Sequence, residues 1–134
     1  MAAIRLKPKK FGPVFLRIDE ADTILYAEDP ASAGTTHPPD KTPVDTLLAS
    51  LGSCIIRSVQ WAAAQQKATL NPFSVTVSGV KAETPPNRVE KIDVTVSHDL
   101  VSDPVLADKI VKQAKSICTV SNSLTCDITL TLTP

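Results

Sequence analysis

Hydrophobic residues change their spacing several times along this chain, and each change marks an element. Leu47, Leu51, Cys54, Ile55, Ser58, Val59 and Ala62 recur at helical spacing. Thr42 is a suitable N-cap, Pro43 suits the first helical position, and Asp45 falls three residues after the cap. The pattern predicts a helix from there to about Gln66, opened by a capping box with Asp in place of Glu. Phe73, Val75 and Val77 alternate with Ser74, Thr76 and Ser78, the spacing of a half-buried strand. After a turn at Pro85-Pro86-Asn87, Val89 opens a second alternating run with Ile92, Val94 and Val96 on one face. These two runs predict an antiparallel hairpin. Asp103-Pro104 starts a second helix, with a stripe of Val105, Leu106, Ile110, Val111, Ala114 and Ile117 that ends at Cys118. Ser121-Asn122-Ser123 reads as a break, and Ile128, Leu130 and Leu132 alternate with threonines in a last strand.

The N-terminal part predicts short strands at Ile4 to Lys7, Pro13 to Ile18 and Thr23 to Tyr26, with a turn at Asp19 to Asp22. Glu28 to Lys41 lacks periodicity and reads as a loop. The order of elements, without regular βαβ repetition, predicts an α+β fold with a mainly antiparallel sheet. At 134 residues the chain makes one domain, 1–134. Leu48, Ile56 and Trp61 fall off the main stripe of the long helix, which predicts central packing or a dimer core for it.

Charge and cysteine usage narrow the function. Fourteen basic residues balance fourteen acidic ones, so no long-range attraction to nucleic acid or an anionic membrane is expected. The apolar stretch from Leu47 to Ala64 is interrupted by Ser50, Ser53, Arg57, Ser58 and Gln60, against a membrane span. No secretory signal pattern heads the sequence, and three cysteines are not a disulfide scaffold, so a reducing cytoplasm is expected. There, paired cysteines lean towards catalysis or redox sensing. His37 and His98 form no metal-ligand spacing with the cysteines, and no phosphate loop exists among four glycines, so no metal and no cofactor are expected.

Two cysteines on two predicted helices are the minimal equipment for reducing a peroxide: one thiolate attacks, and the other closes a disulfide on the sulfenic acid. Cys54 also has a plain account as a small apolar residue on the helix stripe. Cys118, before a polar break, is harder to explain as core. Cys126 reads as structural, and a Cys118–Cys126 bridge stays open. A free thiol is only a few per cent ionised at neutral pH, so an attacking thiol needs a cation or donors beside it. Arg17, Arg57 and Arg88 are the candidates. Asp45 is either a capping acid or a site residue. Nine residues from Cys54, it is half a turn out of phase and reaches a thiol only through a bend or across a dimer.

Two blocks resemble the OsmC/Ohr superfamily of osmotically inducible and organic-hydroperoxide-resistance proteins. Pro43-Val-Asp-Thr-Leu-Leu-Ala-Ser-Leu-Gly-Ser-Cys54 is similar to that family's Pro-x-Glu-Leu-Leu-x-x-Ala-Leu-x-x-Cys helix. Cys118-Thr-Val-Ser-Asn-Ser-Leu124 is similar to its Cys-Pro-x-Ser-Asn-x-Leu segment. The resemblance implies an OsmC-like fold, an intertwined homodimer with sites at the subunit interface, and thiol-dependent reduction of organic hydroperoxides. It implies Cys54 as the attacking thiol and Cys118 as the resolving one, re-reduced by a dithiol. Arg17 and Asp45 stand nearest the family's activating arginine and acid. The chain departs from the family pattern in three ways. The acidic residue of the helix start is Asp45, one place beyond Val44, in place of a glutamate, Glu28 to Lys41 holds no arginine, and Thr119 follows Cys118 instead of proline. These departures favour the alternatives, a non-catalytic dimer binding a small apolar or electrophilic ligand, or a redox sensor.

Overall fold

A computed structural model describes residues 9–134. The expected strand at Ile4 to Lys7 lies outside the described residues. Among the described residues five strands form one sheet: β1 (Lys10–Ile18), β2 (Ile24–Ala27), β3 (Phe73–Lys81), β4 (Val89–Val96) and β5 (Asp127–Leu132). Three helices are α1 (Pro43–Gln65), α2 (Pro104–Ile117) and α3 (Thr119–Ser123), and a 3-10 turn spans His98–Leu100. The strand order is β2-β1-β3-β4-β5. The β1–β2, β1–β3 and β3–β4 pairs are antiparallel, so the fold is α+β with a mainly antiparallel sheet, as expected. The last pair is parallel, β4 with β5, because α2 and α3 carry the chain back across the sheet between them.

Strand alternation decides which sheet face is covered. Val14, Leu16 and Ile18 of β1, Val75 and Val77 of β3, and Ile92, Val94 and Val96 of β4 are buried under the helices. The other face carries Phe15, Arg17, Ser74, Thr76 and Thr95, and no helix among the described residues covers it. β1 starts three residues earlier than its hydrophobic run predicts. Its register shifts between Phe11 and Val14, where Gly12 takes φ +77° and Pro13 has no N–H for the ladder.

α1 begins as its sequence dictates, with the Thr42 hydroxyl accepting from the Asp45 N–H at 3.1 Å. It packs on β1 and β3, and α2 packs beside it over β5. Leu48, Leu51, Ile55, Ile56, Val59 and Ala62 of α1 are all fully buried. Central packing therefore explains Leu48 and Ile56. It does not explain Trp61, which is 48% exposed. By length and composition α1 is apolar enough to cross a membrane, yet more than half of its most apolar stretch is buried inside this fold.

The Ser121-Asn122-Ser123 segment is not a break but most of α3. Cys118 ends α2 in an extended conformation and at once caps α3. Its sulfur accepts from the Ser121 N–H at 3.5 Å, and its carbonyl from the Asn122 N–H at 2.9 Å. Ser123 Oγ bonds the Thr119 carbonyl, and Asn122 Nδ2 bonds the Ser116 carbonyl. The polar side chains that suggest a loop are tied into this short turn instead.

Candidate functional site

Two helices bring two sulfurs together. Cys54 sits mid-way along α1, half-buried, and Cys118 sits at the α2–α3 junction, fully buried. Their thiols lie near enough to one another for Cys54 to raise the proton affinity of Cys118. All three cysteines are free. Cys126 is half-buried, its thiol pushed up by burial, and it exerts no effect on Cys118.

The environment assigns the two thiols different chemistry. Burial pushes the Cys118 thiol up to about 11, and the hydrogen bond with Cys54 and that neighbour's charge add to the rise. The Ser121 and Val120 backbone N–H groups pull the other way, without overcoming burial. Among the described residues no arginine or lysine contributes to the balance at Cys118. At neutral pH Cys118 therefore stays a thiol, closed off from solvent. Cys54 is the sulfur of the pair that solvent reaches.

This difference has two measurable results. Iodoacetamide at pH 8 should alkylate Cys54 well before Cys118, read by mass spectrometry of the digested protein. The folded chain also holds the Cys118 proton more tightly than the unfolded chain, whose thiol has the ordinary value of 9.0. Stability from this group is thus complete below pH 9 and is lost as pH rises through about 11. A urea midpoint that falls over this range in wild type, and falls less in Cys118→Ala, is the expected outcome.

The structure separates the other expected site residues from the thiols. Arg17 lies on the sheet face opposite α1, because its neighbours Leu16 and Ile18 take the buried side. Within one chain the sheet stands between Arg17 and Cys54, which corrects the expectation that this side chain reaches the helix. Its guanidinium instead donates to the carbonyls of Ser32 and Ala33. Asp45 is in the first turn of α1, its backbone N–H held by the cap. It acts as the helix-opening acid, about 13 Å along the axis from Cys54. Arg88 is in the β3–β4 turn, donating to the Thr84 and Pro86 carbonyls.

Arg57 is the arginine that remains on the helix face of Cys54, one turn further along. It pairs with Asp22 at 2.8 Å and bonds Gln60 Oε1 at 2.8 Å. Gln60 Nε2 also donates to Asp22, at 2.7 Å. The bond from Gln60, then the bond and charge of Arg57, hold the Asp22 carboxyl below its usual range. Asp22 comes from the β1–β2 turn, so this cluster ties that turn to α1. The sequence shows Arg57 three residues from Cys54, but nothing in it reveals Asp22 as a partner 35 residues away.

The side chains that flank Cys54 outward come from about two turns away along the helix. Leu51 and Ile55 face the core and are fully buried. The apolar groups on the open side, seven residues before and after Cys54, are half-buried Leu47 and exposed Trp61. His37 lies in the exposed loop, and His98 is held near Thr133 Oγ1 at 3.3 Å. Among the described residues no group of three or more His, Cys, Asp or Glu side chains could hold a metal ion.

A sheet backed by a long core helix, with two unlike thiols in contact where that helix meets a second, defines a small α+β protein with a paired-cysteine centre. The profile of the OsmC-like protein family matches residues 36–133, and the chain belongs to that family. No curated protein matches it. Among solved structures it is similar to the organic hydroperoxide resistance protein OsmC of Legionella pneumophila. That match has 15% identity and TM-score 0.62, over 100% of this chain and 99% of that one. It is similar to the organic hydroperoxide resistance protein OhrB of Bacillus subtilis at 17% identity and TM-score 0.58, over 96% and 98%. A hypothetical protein of Aquifex aeolicus matches at 15% identity and TM-score 0.59, over 98% and 96%. At these identities the structural likeness is one of fold.

Proposed function

We propose that this protein is a thiol-dependent peroxidase that reduces organic hydroperoxides through Cys54 and Cys118. The observation that carries the reading is the contact between an accessible thiol and a buried, protonated one. Membership of the OsmC-like family supports it, as do the two fold relatives that are organic hydroperoxide resistance proteins.

The Cys54 thiolate attacks the distal oxygen of the peroxide. An S–O bond forms, the O–O bond breaks, and the alkoxide takes a proton and leaves as the alcohol. Cys118 then attacks the Cys54 sulfenic acid. The S–S bond forms, the Cys118 proton joins the departing hydroxide, and water leaves. A cellular dithiol reopens the disulfide and is itself oxidised. The high proton affinity of Cys118 suits the second role, since it does not compete for the first oxidation.

Arg57 supplies the positive charge nearest to Cys54 along the helix. Leu47 and Trp61 favour an alkyl or aryl peroxide over hydrogen peroxide. Exposed Trp61 and Ile117, at 48% and 37%, lie on the segments that carry the two thiols. This apolar exposure supports a homodimer that closes over the site. The need for reduced cysteines fits the cytoplasm.

Cumene hydroperoxide supplied with dithiothreitol tests the reading. Sustained loss of many equivalents of peroxide is expected. Loss of a single equivalent, with disulfide formed and no turnover, is the behaviour of a redox sensor. No loss at all leaves the non-catalytic ligand-binding reading.

A further inference from the structure

On the sheet face away from the thiols lies a cavity of about 220 Å³. Its floor is built from the outward residues of adjacent strands. Phe15 pairs with Ala27 on one side and Thr76 on the other, and Arg17 pairs with Leu25 and Ser74. Its roof is the segment from Asp29 to Gly34, which folds back over β1 and β2. Three devices hold that roof in place. Tyr26 and Thr35 exchange two backbone hydrogen bonds, at 2.8 and 2.9 Å. Gly34 takes φ +80°, where a Cβ would come within 2.9 Å of the Tyr26 carbonyl. Arg17 donates to the Ser32 and Ala33 carbonyls.

The chemistry of the lining is uneven. Phe15, Leu25 and Ala27 make one side apolar, and the hydroxyls of Ser74 and Thr76 stand beside Arg17. Every arginine–carboxylate or lysine–carboxylate pair among the described residues leaves Arg17 out. Its guanidinium has five N–H donors and meets only neutral carbonyl oxygens. Asp29 lies in the same lining, with one carboxylate oxygen engaged by the Ala31 N–H at 2.9 Å. A neighbouring negative charge disfavours a multiply charged guest and leaves room for a singly charged one.

We propose that this cavity is a binding site for a small organic monoanion, a carboxylate on a short apolar body, with its head on Arg17 and its body on Phe15 and Leu25. The charge-assisted hydrogen bonds from Arg17 supply selectivity for the anion, and the hydroxyls of Ser74 and Thr76 offer further donors. The site stands apart from the thiol pair, across the full thickness of the sheet. It does not depend on the peroxidase reading.

Titration of the isotope-labelled protein with benzoate and with neutral benzamide tests the site. Benzoate should shift the amide signals of Phe15, Arg17, Gly34 and Thr76 with a Kd on the order of 1 mM, about tenfold tighter than benzamide. Arg17→Gln should remove that preference, with unchanged signals elsewhere as proof of folding. Cys54→Ser should leave benzoate binding intact, so a failure of the thiol chemistry would not touch this result. Equal binding of benzoate and benzamide to wild type, shifts confined to other residues, or no shift at all would overturn the proposal. The wild-type comparison decides it even if the arginine variant fails to fold.

Discussion

Cys54→Ser is expected to lower the rate of cumene hydroperoxide reduction by about a thousandfold, a barrier increase of ~4 kcal/mol. A serine hydroxyl is almost never ionised near neutral pH, so the attacking group is lost while the shape of the helix face is kept. The substitution should cost little stability, because Cys54 is only half-buried and its polar neighbour is another thiol. Cys118→Ser should behave differently. The first equivalent of peroxide should still be consumed, with a rate constant within about threefold of wild type. Turnover with a dithiol should then slow, and a sulfenic acid on Cys54 should accumulate, trapped by dimedone and seen by mass spectrometry. If the two serine variants instead fail identically at the first equivalent, the roles assigned from burial and proton affinity are wrong. If both turn over like wild type, neither sulfur takes part.

Gly52→Val should destabilise the fold by about 2–3 kcal/mol, read as a lower urea midpoint with little change in slope. At Gly52 α1 lies close against the sheet. A Cβ there would stand 2.6 Å from Leu16 Cδ1 and 3.1 Å from Val77 Cγ2. Leu16 and Val77 are themselves fully buried, so neither has space to retreat into. Valine adds two methyl groups to that conflict and gives back little helix propensity. The effect should extend to the thiols, since Cys54 is two residues further along the same rigid helix. Lifting α1 off β1 and β3 would alter its seat against α3. Slower closure of the disulfide after oxidation is the expected functional sign. Wild-type stability in Gly52→Val would contradict the close packing of α1 on β1 and β3.

Most of the framework was legible because it rests on local signals. Thr42-Pro43 and Asp103-Pro104 set the helix starts, and the alternation from Phe73 to Val77 and from Val89 to Val96 set the central hairpin. Those signals act within a few residues, where the backbone's own preferences are decided. What escaped depends on partners distant in sequence. The parallel pairing of β5 with β4 follows from how α2 and α3 return the chain, which no strand pattern encodes. α3 escaped because its serines and asparagine are read as loop formers, and because its cap is a cysteine, not a usual capping residue.

The candidate site was legible in part. The two cysteines stood out from their sequence settings, and their contact is the geometry on which the redox reading depends. Strand parity puts Arg17 across the sheet from the thiols of its own chain. With Leu16 and Ile18 buried, a residue between them must face the other way. Leu51 and Ile55, close to Cys54 in sequence, point around the helix towards the core. Asp22, which holds Arg57, comes from a turn whose docking on α1 is set by tertiary packing alone.

The most direct test is oxidation of the reduced protein with one equivalent of cumene hydroperoxide, followed by alkylation, digestion without reductant and peptide mass mapping. A single intramolecular disulfide between Cys54 and Cys118, with Cys126 alkylated, is the predicted product. A bridge from Cys118 to Cys126, or three alkylated thiols after the peroxide has been consumed, would contradict the assignment of Cys54 and Cys118 as the redox couple.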